Sequence, residues 1–287
     1  MLGHTLWQAC RDRVPTRVTV RAGSALSAGV APEYATQVVT GVRAEAPETV
    51  EQALDTVQPE VAVNCIGVVP QAEAASDAAW LFRINALFPH ELAAACQARG
   101  IRLIHISTDC VFSGRRGGYS EDDIPDPVAP YGRSKLAGEP WGPRVLTLRT
   151  SMIGWELVGR SQGLLEWFVS QRGGTVSGYT HAVFSGPTAP VLSRAIFTTI
   201  QGHPDLEGTW HIAAEPIAKH DLLQTIRAAL DLNVEIVPDD GVRIDRSLDA
   251  SRFAAATGWA APPWQEMVLE LAAGASANPV GERVAGR

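Results

Sequence analysis

Two residue types stand out in this chain for their scarcity and their spacing. There are four tyrosines and only two lysines, Lys135 and Lys219, every other basic residue being arginine. Tyr131-Gly-Arg-Ser-Lys135 sets one of each four positions apart, and on a helix such residues share a face. An ammonium beside a phenol favours the phenolate, so Lys135 is expected to pull the tyrosine pKa down from about 10. Tyr131 would then serve as proton donor to a carbonyl oxygen whose carbon receives a hydride. The plain structural reading of the pair is a surface i, i+4 contact. A second cluster lies in Ile104-His-Ile-Ser-Thr-Asp-Cys-Val-Phe-Ser-Gly114, which puts Ser107 and Thr108 just past an apolar strand. Open α/β sheets hold their ligands at that end of the strands. Taken alone, such hydroxyls cap local backbone.

The elements that must position these groups can be read from hydrophobic periodicity. Residues 17–22, 60–66, 101–106 and 145–149 form short apolar or β-branched runs. The segments 47–58, 78–99 and 131–139 carry helical spacing between them. This alternation predicts an α/β fold, a doubly wound parallel sheet covered by helices on both faces. The second half is less regular, with helices expected over 163–171, 189–200 and 220–230 and strands over 208–212 and 234–237. The predicted organisation is a Rossmann-like dinucleotide-binding domain over 1–152 and a smaller C-terminal α/β substrate lobe over 153–273, with some chain returning to the first core. A tail over 274–287, rich in Ala, Gly and Arg, is expected to fray. The start is unusual. Residues 1–10 begin directly as a helix with one glycine, Gly3. In a doubly wound domain the first strand is central and the turn after it carries the Gly-rich pyrophosphate loop. That strand and most of the loop are therefore expected to be missing, by roughly ten residues; the alternative is a domain without its cofactor site.

Composition narrows the classes of function. With 287 residues, 46% of them hydrophobic, the chain can bury a full core. A formal charge of −7 argues against a nucleic-acid binder, and no apolar run has the length of a membrane span. Cys10, Cys65, Cys96 and Cys110 show neither disulfide-framework nor zinc spacing, so no metal site is expected and a cytoplasmic location is.

The chain resembles the extended short-chain dehydrogenase/reductases, most closely the dTDP-4-dehydrorhamnose reductase group of nucleotide-sugar reductases. The resemblance rests on VNCIG (63–67), INALFPHELAAAC (84–96), LIHISTDCVFSG (103–114), EDDIPDPVAPYGRSKLAGE (121–139), LRTSMIG (148–154) and DRSLDASRF (245–253). It implies a catalytic set of Thr108, Tyr131 and Lys135: Tyr131 the acid, Lys135 tuning it and binding nicotinamide ribose, and Thr108 orienting the carbonyl. Ser107 is a second candidate for that hydroxyl. The implied cofactor is NADPH, with NADH as the other option, held by Gly3, Arg21, Cys65, Ile66, Gly67, Ser107, Tyr131, Lys135 and Ser151. Arg21 stands where members that use NADP meet the 2′-phosphate, and Asn85 where members place a supporting amide. A nucleotide-sugar substrate would meet Asp109, Cys110, Val111 and Arg246. The dehydratases of the superfamily show Thr-Asp-Glu where this chain has Thr108-Asp109-Cys110, which favours simple reduction over elimination. Expected is an NADPH-dependent reductase of a nucleotide-activated 4-keto-6-deoxy sugar, with a homodimer as its expected assembly. A non-catalytic NADP-binding regulatory subunit and a nucleotide-sugar epimerase stay open as alternatives.

Overall fold

The computed structural model describes residues 1–22, 30–69, 77–156 and 163–277. The first half runs α1 (Leu2–Cys10), β1 (Val18–Val20), β2 (Val38–Thr40), α2 (Pro47–Val57) and β3 (Val61–Asn64). It continues through α3 (Ala78–Phe82), a π turn (Arg83–Leu87), α4 (Phe88–Ala98), β4 (Arg102–Ile106), α5 (Pro130–Ala137) and β5 (Val145–Arg149). The second half contributes α6 (Leu164–Ser170), β6 (Thr175–Phe184), α7 (Ala189–Gly202), β7 (Gly208–His211) and β8 (Ile217–Ala218). Then follow α8 (Lys219–Ala229), β9 (Glu235–Asp245), α9 (Ser251–Thr257) and α10 (Trp264–Ala273).

The centre is a parallel sheet in the order β3-β4-β5-β7. Its middle strands β4 and β5 are buried along their whole length, as expected of strands covered on both faces. Side-chain alternation divides the core between those faces. Leu103 and Val145 pack with Val50, Leu54, Phe88 and Leu92. Ile104, Ile106, Leu146 and Leu148 pack with Leu2, Leu6, Leu192 and Ile196. β7 lies far along the chain yet completes this sheet, and α7 packs against α1.

β1 and β2 pair in parallel as a separate two-stranded sheet. Among the described residues no ladder joins β1 to β3, and the break falls where a doubly wound order takes its central strand. A third sheet, β8-β6-β9, pairs β6 in parallel with β9 and antiparallel with β8. The periodicity of the sequence had not marked β2 or β6, and β9 extends well beyond the expected 234–237. β6 carries Gly178 at its middle, where a Cβ would sit 2.7 Å from Ile236 and 2.8 Å from His220; close packing rather than a hydrophobic pattern sets that strand. Residues 274–277 form a single 3₁₀ turn (Gly274–Ala277), and 278–287 of the expected tail lie outside the described residues.

The segment read as one long helix over 78–99 is interrupted by the π turn. The widened turn brings the Asn85 backbone against the end of α5, where a Cβ on Gly138 would lie 1.8 Å from the Asn85 carbonyl oxygen. Gly138→Ala is therefore expected to cost roughly 1–3 kcal/mol through overpacking, read as a lowered midpoint in thermal unfolding.

Candidate active site

The C-terminal ends of β3, β4 and β5 open on one side of the sheet, and the loops leaving them carry Cys65–Gly67, Ser107–Asp109 and Thr150–Ser151. After β4 the chain turns sharply. Thr108 caps a 3₁₀ turn (Asp109–Val111), its hydroxyl oxygen accepting the Cys110 N–H at 3.2 Å and its proton donated to Asp109 Oδ1 at 3.1 Å. Helix α5 begins at Pro130, whose fixed φ suits a first helical position. It presses on that turn so closely that a Cβ on Gly132 would stand 2.1 Å from the Cys110 carbonyl oxygen. This contact sets Tyr131, in the first turn of α5, beside Thr108, Asp109 and Cys110.

The phenol of Tyr131 is pushed well above its ordinary pKa. Burial is the main cause, the Cys110 thiol and the Asp109 carboxyl act in the same direction, and a hydrogen bond with Thr108 opposes them. The expectation that Lys135 acidifies this phenol is corrected here. Lys135 Nζ instead donates to the Ile106 carbonyl oxygen at 2.8 Å and stands 3.4 Å from His105 Nε2. Helical spacing puts the two side chains on one face, but the long lysine stem carries its amino group down to a strand carbonyl. Burial lowers the lysine to about 8, with Glu139 and Cys65 opposing. Tyr131 is thus a phenol rather than a phenolate at neutral pH, and burial makes it a weaker acid than free tyrosine.

The other expected residues divide into those the fold gathers and those it does not. Arg246 arrives from the segment after β9, donates from Nε to the Phe112 carbonyl at 3.0 Å, and draws down both Asp109 and Cys110. Burial outweighs it, raising the Asp109 carboxyl and pushing the Cys110 thiol up to about 12. Cys65 is likewise pushed up to about 12 by burial, so neither cysteine is a thiolate. Gly3 meets Cys65, whose Cβ lies 3.4 Å from where a Gly3 Cβ would be. Ile66 and Gly67 are exposed at the end of β3, and Ser151 is half-buried just beyond β5. Arg21 is exposed after β1 and pairs with Glu45 at 3.3 Å.

Two expected contacts are spoken for within the protein. Val111 is fully buried with Phe112, Tyr119, Ala213 and Leu248, and a side chain so enclosed offers a substrate no surface. Ser107 donates to Glu139 Oε1 at 2.6 Å, and Arg149 grips the same carboxylate from Nε at 2.9 Å and Nη2 at 2.7 Å. This buried bidentate pair ties the end of α5 to β5. Sequence reading missed it, although an arginine ending an otherwise apolar strand is a signal. It also missed Asn64 and His105, buried polar residues in the strands VAVN and RLIHI. Asn85 is fully buried. Its amide clasps the backbone of Val68, accepting the N–H at 2.8 Å and donating to the carbonyl at 2.9 Å, and donates also to Ser134 Oγ at 3.2 Å. The loop after β3 is thereby fixed to the tyrosine helix.

Among the described residues no group of three or more His, Cys, Asp or Glu is placed to hold a metal ion. Nor is any helix among them long and apolar enough to cross a membrane. Breaking a buried ion pair strands a charge, so Glu139→Ala is expected to destabilise by about 3–5 kcal/mol in urea unfolding. Arg149→Ala made in that background should cost far less than it does alone.

Comparison with known proteins agrees with this arrangement. Residues 21–275 match the family model of the RmlD substrate-binding domain. A probable low-salt glycan biosynthesis reductase of Haloferax volcanii is 33% identical over 178 residues, covering 58% of each chain; the match spans less than two thirds of that relative. A hypothetical dTDP-4-dehydrorhamnose reductase from Sulfolobus tokodaii superposes with a TM-score of 0.75 at 25% identity, covering 92% of this chain and 94% of that one. The dTDP-4-dehydrorhamnose reductase of Bacillus anthracis in complex with NADP gives a TM-score of 0.72 at 22% identity, covering 89% and 98%, and speaks to the fold alone. By the extent of the family match and the fold it shares with these structures, the chain belongs to the RmlD substrate-binding domain family.

Proposed function

We propose that this protein is an NADPH-dependent reductase of a nucleotide-linked 4-keto-6-deoxy sugar. One observation carries the reading: a protonated phenol held beside the Thr108 hydroxyl at the ligand-binding end of a parallel sheet. The relatives' names support it: a probable low-salt glycan biosynthesis reductase, a dTDP-4-keto-6-deoxy-D-glucose reductase and a hypothetical dTDP-4-dehydrorhamnose reductase. When bound, the cofactor supplies the hydride. Tyr131 hands its proton to the keto oxygen as negative charge develops there, and Thr108 holds that oxygen in line through its hydroxyl. Lys135 binds the nicotinamide ribose, and exposed Gly67 lets the adenosine side approach the end of β3 closely. Arg21 faces solvent and can exchange Glu45 for the 2′-phosphate of NADP, because a surface ion pair is weak. For the pyrophosphate the described chain offers Gly3 at the start of α1. Arg246 suits a diphosphate through its guanidinium fork.

A second reading, a non-catalytic NADP-binding subunit, is favoured by one feature, the break between β1 and β3. A single assay separates the two. Protein supplied with NADPH and dTDP-4-keto-6-deoxyglucose or its rhamnose-series epimer should consume the absorbance at 340 nm. Tyr131→Phe should lower turnover by about 100-fold or more and leave NADPH binding, followed by fluorescence, essentially unchanged. NADPH binding without oxidation would favour the second reading. Oxidation that survives Tyr131→Phe would remove the phenol from the mechanism.

A further inference from the structure

Beneath the proposed site lies a chain of buried polar groups that the reduction itself does not use. Asn64, His105 and Lys135 are 3%, 0% and 4% exposed, so their hydrogen bonds must be settled among themselves. The Ile66 N–H donates to Asn64 Oδ1 at 3.0 Å, which fixes the orientation of the amide. Asn64 Nδ2 therefore faces His105 Nδ1, at 3.1 Å, as a donor. Nδ1 must accept, and a neutral imidazole then carries its single proton on Nε2. That N–H points at Lys135 Nζ, 3.4 Å away. An ammonium has no acceptor, so a charged lysine would set donor against donor. A neutral amine resolves the conflict: its lone pair accepts from Nε2–H while one of its own N–H groups serves the Ile106 carbonyl at 2.8 Å.

We propose that His105 is a positioning residue for Lys135, holding the amine neutral against β4 and releasing it towards the phenol and the cofactor ribose when Nζ takes up a proton. Its functional part rests on the reductase reading; the proton occupancy of Lys135 does not. The surroundings agree. Burial above all, with His90 on α4, holds His105 far below the usual imidazole range, so the ring stays neutral. Glu139, beyond the end of α5, favours the ammonium but is already shared by Arg149 and Ser107. Cys65, after β3, stays a thiol through burial. Tyr131, one helical turn before Lys135, stays a phenol. No full counter-charge is thus committed to Nζ, and burial brings it to about 8. Below that pH the ammonium dominates and must leave its place on His105; above it the amine docks. Reduction that depends on the ammonium should accordingly slow as pH rises through about 8.

The test exploits the two lysines. Protein labelled with ¹³C at lysine Cε gives two signals, and Lys135→Met identifies which belongs to Lys135. In the wild type that signal should titrate at about 8. His105→Gln, which can turn a carbonyl towards Nζ, should raise the midpoint by about one pH unit or more. Asn64→Asp offers a second route that keeps the histidine. Its carboxylate still accepts from Ile66 and also takes His105 Nδ1–H, turning the Nε2 lone pair to the ammonium, and it should raise the midpoint as well. A wild-type midpoint near the ordinary lysine value of about 10.4, or one unmoved by both substitutions, overturns the proposal. The titration needs no turnover. A shifted lysine signal in protein that does not oxidise NADPH would sink the reductase reading and leave the lysine's positioning standing.

Discussion

The approach of α5 to the ends of β4 and β5 is the constraint from which the site follows. It is possible because two residues of that segment have no side chain. Gly132 lets the helix rest on the Cys110 carbonyl, and Gly138 lets its end rest on the Asn85 carbonyl. Between these contacts the helix presents Tyr131 to Thr108, Ser134 to Asn85 and Lys135 to β4. Any larger residue at either glycine would lift the helix, and the phenol would lose its place at the mouth of the sheet. Tyrosine and lysine supply chemistry only because glycine supplies the distance.

Buried polar groups then hold this geometry where apolar packing alone would leave it free to slide. Glu139 ties the segment beyond α5 to Arg149 on β5 and to Ser107 after β4. Asn85 ties it to the loop after β3. Each contact is worth little as net stability because desolvation offsets it, yet each is costly to leave half-made. That asymmetry makes them locks on one arrangement. The same low-dielectric setting raises the phenol, the thiols and the Asp109 carboxyl and lowers the lysine and His105. Most of the titratable groups at the strand ends are driven towards their neutral forms.

Much of this was legible in the sequence. The apolar runs over 60–66, 101–106 and 145–149 located the parallel strands β3, β4 and β5, because strands covered on both faces have no polar alternation to hide. Tyr131 was singled out by its spacing from Lys135, and Thr108, together with Ser107, by its place at the end of a strand. The rest depended on three-dimensional partners that spacing does not encode. Lys135 shares a helical face with Tyr131, but its charge is decided by His105 and the Ile106 carbonyl across the helix–sheet interface. Ser107 and Thr108 are neighbours, yet strand alternation sends one to Glu139 and leaves the other beside the phenol. Val111, at the edge of the same motif, turns inward beneath the stacked rings of Phe112 and Tyr119. β6 escaped notice because Gly178, chosen for closeness to His220 and Ile236, interrupts its pattern.

The account turns on where the substrate's oxygen sits. A crystal structure of the protein with NADP and an unreactive analogue of the keto-sugar nucleotide would measure that directly. The oxygen should lie within about 3 Å of both Tyr131 Oη and Thr108 Oγ1, with the sugar ring at the C-terminal ends of β4 and β5. An analogue bound with that oxygen facing other groups, and Tyr131 still enclosed by Cys110 and Asp109 away from it, would contradict the account.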